Sequence, residues 1–116
     1  MRSLRAFSVH QPYADRILSG IKRYEYRSIP TRIRSRVYIY ATLKPVDHTN
    51  RHLPRGQIIG TVQITGCEWS QRDNCYRWKL SNPRRIRPCI PKNHPQPVWF
   101  YPFTNQTNAI AKAQRR

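Results

Sequence analysis

Residues 20–27 read Gly20-Ile21-Lys22-Arg23-Tyr24-Glu25-Tyr26-Arg27. The stretch begins where one element must stop and ends inside another. Upstream, Pro12 stands where a helix can start, because its missing N–H costs nothing in the first turn. Asp15 follows in that turn, where a carboxylate suits the helix dipole. Tyr13, Ile17 and Leu18 recur at helical spacing, and Gly20 supplies a left-handed stop. The sequence therefore predicts a short helix over residues 12–19. Downstream, residues 24–28 alternate aromatic and charged side chains, which is strand periodicity. Tyr24 and Tyr26 should face one side, with Glu25 and Arg27 on the other. Lys22, in the turn, can lean over them. Glu25 is one of only two acidic residues in the first 40, and it falls between Lys22 and Arg27.

Further strands follow from the same alternation. Residues 4–9 (LRAFSV) form a first strand. Residues 36–41 (RVYIYA) place Val37, Ile39 and Ala41 on one face and Tyr38 and Tyr40 on the other. Residues 43–55, with two prolines and scattered charge, read as a loop. Residues 57–67 (QIIGTVQITGC) form the longest strand, with Ile58, Val62 and Ile64 sharing a face with Gly60 and Gly66. Those glycines allow a bend or the close approach of another segment. Residues 76–80 (YRWKL) and 98–101 (VWFY) complete the set, separated by a stretch that Pro83, Pro88 and Pro91 punctuate. The expected fold is mainly β with one or two short helices (α+β), a small closed or partly closed barrel that shields its strand edges. Residues 1–103 are expected as one domain, and 104–116 as a basic, flexible tail.

Charge narrows the function. Among 116 residues, 22 are Lys or Arg and five are Asp or Glu, a formal net charge of +17. Small domains stay soluble with a magnitude of about 2–8, so the excess points to a polyanionic partner. Most of the cations are arginines, which pair bidentately with phosphate and stack on bases. With Asp15, Glu25, Asp47, Glu68 and Asp73 as the whole acidic complement, paired-carboxylate catalysis and an oxygen cage for Ca²⁺ or Mg²⁺ are hard to build. Cys67, Cys75 and Cys89 form no C-x-x-C pair and read as reduced thiols. His48 and His52 have helical spacing but lie among Asp47, Asn50 and Pro54, and read as loop residues rather than metal ligands. No cofactor and no metal are expected. Neither a membrane-spanning run nor a signal peptide is evident, so a cytoplasmic, monomeric protein is expected.

The motif G-x-K-x-x-E-x-R (Gly20, Lys22, Glu25, Arg27) resembles the signature of the ASCH domain, a member of the PUA-like superfamily. Residues 8–14 (SVHQPYA) are similar to that family's first strand-to-helix corner, residues 56–67 to its central barrel strand, and residues 76–83 (YRWKLSNP) to a later strand and turn. The resemblance covers residues 4–101. It implies a small β-barrel with a cleft beside the helix, lined by Lys22, Glu25 and Arg27, and an association with RNA. Small bacterial acetylcytidine amidohydrolases of this kind carry a lysine at the place of Lys22, a threonine three residues on and a distant glutamate. Here Glu25 takes the threonine's place, and with no acidic residue after Asp73 only Glu68 is left as a poor candidate for the glutamate, which speaks against that activity. Other relatives are ribonucleases.

RNA is held by phosphate contacts and by bases stacked on aromatic rings. Tyr13 and Trp78 are the leading stacking candidates, since they adjoin the cleft segments. His10 and Gln11 can hydrogen-bond a base edge or cap the helix. Arg84 and Arg85, with Arg87, form a basic patch. Arg32, Arg34 and Arg36 alternate and on a strand would point the same way. The leading reading is a module that binds RNA or another single-stranded nucleic acid. The alternative is a small hydrolase acting on RNA or a modified nucleoside, with Lys22 as base or nucleophile against the pull of Glu25. A third is a subunit that docks on an RNA-bound assembly.

Overall fold

The computed structural model describes residues 4–45 and 50–103. Six strands and one helix follow in the order β1 (Ala6–Gln11), α1 (Tyr13–Leu18), β2 (Tyr24–Arg27), β3 (Arg36–Pro45), β4 (Gln57–Ser70), β5 (Cys75–Cys89) and β6 (Trp99–Phe100). The strands make one sheet in the order β2-β5-β4-β3-β1-β6. β1 and β3 run parallel, and every other pair is antiparallel. The expected α+β class and barrel-like architecture are present. The tail expected over 104–116 lies outside the described residues, as does His48.

The sheet curls but does not close by backbone pairing. β2 and β6 are its two ends, and side chains bridge the gap. Trp78 of β5 stacks on Trp99 of β6, with centroids 5.5 Å apart and rings 8° from parallel. Phe7 of β1 packs against both. From β2, the Arg27 guanidinium donates to the Ser8 carbonyl of β1 at 2.6 Å. Curling of this kind covers the inner face completely. Val37, Ile39 and Ala41 of β3 are buried there, as their alternation predicts, with Val62 and Ile64 of β4. The helix plugs the same core with Ala14, Ile17 and Leu18. On the other face, Tyr40 joins Ala6, Ile58 and Phe100 in a second apolar cluster.

Two glycines set how closely the pieces meet. Gly20 has φ +84°, the left-handed stop that the sequence predicts. At Gly60, a Cβ would come within 2.5 Å of both the Arg84 carbonyl and a Leu18 methyl. The helix therefore rests directly on the β4 backbone. Gly66 has only ordinary contacts and carries no such role.

The structure departs from the expected elements in several places. Ile58, expected on one face with Val62 and Ile64, falls in the second cluster, because the pairing with β5 shifts register between Ile58 and Gly60, and β4 runs on to Ser70. β3 extends to Pro45, into what reads as loop. β5 continues to Cys89, through Pro83 and Pro88. Its pairing with β4 shifts register between Thr61 and Gln63, opposite Asn82-Pro83, and again between Ile58 and Gly60. β2 pairs with β5 only over residues 76–79, so the later half is an edge, where bulged prolines forfeit no ladder bond. Finally, residues 32–34 are not strand. Arg34 turns back onto the carbonyls of Thr31 and Ile33, and only Arg36 enters the sheet.

Candidate functional site

The helix stop and the start of β2 bring Lys22, Glu25 and Arg27 together. Glu25 Oε2 accepts from Arg27 Nε at 2.8 Å and lies 2.7 Å from Arg27 Nη2. Its other oxygen lies 3.5 Å from Lys22 Nζ. The side chains of Glu25, Arg27 and Lys22 are 9%, 20% and 17% exposed. Strand alternation explains the arrangement. Glu25 and Arg27 project from the same side of β2, and the turn at Gly20 folds Lys22 back over them, with Lys22 N–H donating to the Arg16 carbonyl.

The two cations nonetheless serve different places. Arg27 spends its guanidinium on Glu25 and the Ser8 carbonyl. It lies over the rings of Phe7 and Trp78, at 5.7 and 5.6 Å from their centroids. Lys22 has only the 3.5 Å contact to Glu25 and sits over the rings of Tyr26 and Tyr13, at 4.9 and 5.7 Å. The carboxylate thus divides a cation bonded into the seam from one held by a single long contact.

Two clefts lie on either side. The larger, about 560 Å³, is bounded by the helix end, β2 and the bulge of β5. Lys22, Arg23 and Lys79 contribute three cations to it, Tyr24 a ring, and Ser81 and Asn82 a hydroxyl and an amide, with Ile17, Val62 and Leu80 at its apolar base. Among the described residues no carboxylate lines it. Its volume falls within the roughly 300–1,000 Å³ of small-molecule sites. The second cleft, about 380 Å³, takes in Ser8, His10, Arg27, Tyr40, Thr42 and residues 95–98. The expectation that one cleft holds all three motif residues is therefore corrected. Lys22 opens on the first, Arg27 on the second, and Glu25 lines neither.

The other predicted residues separate cleanly. Tyr13 is 41% exposed and carries both Lys22 and Arg16 over its ring, so an exposed aromatic surface lies beside the cleft cations. Trp78 is 0% exposed and donates from its indole N–H to the Ile29 carbonyl. It is core, not a stacking platform, because the curled sheet covers its side of β5. Gln11 is also buried. Its amide oxygen accepts from Asp15 N–H and its NH₂ donates to the Pro54 carbonyl. Gln11 therefore caps the helix and has no polar atom left for a base. His10 is exposed and pairs through Nδ1 with the Thr42 hydroxyl. Arg85 is tied to Asp15 at 2.8 Å, whereas Arg84 is exposed. Lys79, Ser81 and Asn82 were not singled out by sequence. The strand register Tyr24↔Lys79 brings them to the motif. Among the described residues no group of His, Cys, Asp or Glu is arranged to hold a metal, and no helix is long and apolar enough to cross a membrane.

Comparisons with known proteins fit this geometry. Crystal structures of ASCH from Zymomonas mobilis superpose over almost the whole chain. The unmodified protein gives a TM-score of 0.66 at 19% identity, covering 98% of this chain and 96% of that one. A tyrosine-to-phenylalanine variant gives 0.65 at 19% identity over 97% and 98% of the two chains. A serine-to-alanine variant gives 0.64 at 20% identity over 97% and 96%. A search of curated proteins returned no match. The ASCH domain model matches residues 7–96, from β1 to the segment before β6, and the chain belongs to the ASCH domain family.

Proposed function

We propose that this protein is an RNA-binding module that recognises a nucleotide in the cleft between the helix end and β5. One observation carries the reading: three cations, an amide, a hydroxyl and an aromatic ring converge on a cavity of about 560 Å³ with no carboxylate among the described residues of its wall. Lys22 and Lys79 supply charge to a phosphate, Asn82 and Ser81 can hydrogen-bond a base or ribose, and the half-exposed ring of Tyr13 stands outside. The net charge of +17 supports a polyanion over a neutral ligand. Family membership supports the same class of partner.

Binding of this kind weakens steeply with salt, because each neutralised phosphate releases counterions. The test is a titration of fluorescently labelled single-stranded RNA at low and moderate salt. Saturable binding that falls along a linear log–log salt plot is expected. Absence of binding at low salt would overturn the reading.

A second reading, a hydrolase acting on RNA or a modified nucleoside, has one specific observation in its favour: Lys22, Tyr24 and Ser81 share the cleft. An ammonium and two hydroxyls lining one cleft are groups that can stabilise charge developing on a phosphoryl or acyl oxygen. The variants crystallised from Zymomonas mobilis each remove one hydroxyl, from a tyrosine or a serine. Incubation with RNA and with acetylcytidine, beside a Lys22→Ala control, decides it. Turnover abolished by that substitution supports catalysis, and turnover that survives it removes Lys22 from the chemistry.

A further inference from the structure

Arg36 and Arg84 come from segments 48 positions apart, yet strand register brings them to one face. Arg36 of β3 lies opposite Gln63 of β4, and Thr61 of β4 lies opposite Arg84 of β5. Residues paired across a ladder share a face, as do residues two apart on a strand. Arg36, Thr61, Gln63 and Arg84 therefore share one side of the sheet, while Val37 and Val62 point into the core on the other. Arg36 is held in place by donating from Nη1 to the Thr61 hydroxyl at 2.8 Å. Asn82 extends the row by donating to Gln63 Oε1 at 3.2 Å, and Asn82 also lines the nucleotide cleft.

Among the described residues, no carboxylate forms an ion pair with either Arg36 or Arg84, and the ion pairs there engage Asp15, Glu25 and Glu68. Two guanidinium groups close enough to repel, beside the Thr61 hydroxyl and the Gln63 amide, form a fork-shaped receptor for a tetrahedral anion. We propose that Arg36 and Arg84 form a phosphate site on this face that grips the backbone of a single-stranded nucleic acid one step beyond the nucleotide held in the cleft. The inference rests on the RNA-binding reading and adds a path to it, from the cleft past Asn82 onto β3–β5. In support, partial burial and the neighbouring Arg84 lower the pKa of Arg36 from its ordinary value, a tension that a bound anion relieves. Arg85, the next residue, does not belong to this site, because its guanidinium is committed to Asp15.

The test compares Arg84→Gln with Arg85→Gln, which remove the same charge from adjacent positions. Labelled single-stranded RNA, single-stranded DNA of matching sequence and a mononucleotide are titrated against each variant over a salt series. Arg84 is exposed and makes no contact that the fold needs, and thermal unfolding verifies this. For Arg84→Gln, affinity for both polymers should fall about three- to tenfold, with a salt slope shallower by about 0.7. Mononucleotide binding should stay at the wild-type level, and Arg85→Gln should lose less. Equal losses at the two positions would mean a general charge effect and overturn the site. So would wild-type RNA binding that Arg84→Gln leaves intact, an outcome that spares the RNA-binding reading. A loss confined to RNA would place Arg84 on the ribose hydroxyl and overturn the phosphate assignment. No RNA binding by the wild type would remove both readings together.

Discussion

The two sides of Glu25 use the same kind of pairing for different ends. On the Arg27 side, a guanidinium bonds a carboxylate and a backbone carbonyl and lies over two aromatic rings. It ties β2 to β1 across the gap in the curled sheet. On the Lys22 side, an ammonium has one loose contact to the carboxylate and two tyrosine rings, and it opens on a cleft. The difference teaches that a single buried acid can anchor a fold and present a cation together. Its cost is that neither role can be disturbed through Glu25 without disturbing the other. Stability should therefore follow Arg27, binding should follow Lys22, and Glu25 should affect both.

Glu25→Gln carries the largest expected effect. It leaves the guanidinium of Arg27 mostly buried without its counter-ion, a loss of about 3 kcal/mol. In a domain of this size that lowers the midpoint of thermal unfolding by roughly 15 °C. Calorimetry or circular dichroism measures it. A shift of a degree or two would mean that the carboxylate does not hold the seam.

Arg27→Lys comes next. A lysine keeps the charge but cannot bond Glu25 and the Ser8 carbonyl together, since it lacks the planar fork. About 2 kcal/mol of stability should be lost. RNA affinity, measured well below the lowered midpoint, should stay near wild type. If instead affinity falls while the melting point holds, the two sides of Glu25 have been assigned the wrong way round.

These contrasts also mark what could be read from the chain alone. The trio of Lys22, Glu25 and Arg27 was legible because its geometry is local: a glycine stop, a turn and a two-residue strand period. The helix, the order of the strands and the inward residues of β3 follow from the same short-range rules. Trp78 was not legible, because alternation shows that a residue faces one side of a strand without showing that the sheet will curl to cover that side. Gln11 could be read as a base-reading group or as a cap, and its burial decides for the cap. The continuation of β5 through Pro83 and Pro88 depends on bulges and on an edge that appear only when β2 is found to pair with residues 76–79 alone. Lys79, Ser81 and Asn82 reach the cleft through that same pairing. Arg36 and Arg84 likewise meet by register across β4, which no local pattern in the sequence encodes.

Lys22→Gln should cost about 1 kcal/mol of stability, less than either change at the seam, since its one ionic contact is long at 3.5 Å. Binding should suffer more. Losing one charged hydrogen bond to a phosphate costs about 1.5 kcal/mol, a tenfold rise in Kd. Lys22→Arg should recover much of it if a point charge suffices. A variant that binds as well as wild type would move the nucleotide out of this cleft.

Tyr13→Ala is the mildest and tests how far the Lys22 side extends. The ring is exposed and outside the cleft wall, so its removal should barely alter the melting point. Two cations already lie near the ring, and a base would stack on the part that solvent reaches. Stacking on an exposed ring is worth about 1 kcal/mol at the low end of its range, a roughly fivefold loss for an oligonucleotide. A mononucleotide seated in the cleft has no second base to stack, so its affinity should not change. Were both ligands weakened equally, Tyr13 would be acting through the position of Lys22 rather than through its own ring, and the accessible side of Glu25 would be a single unit instead of a cleft with an outlying platform.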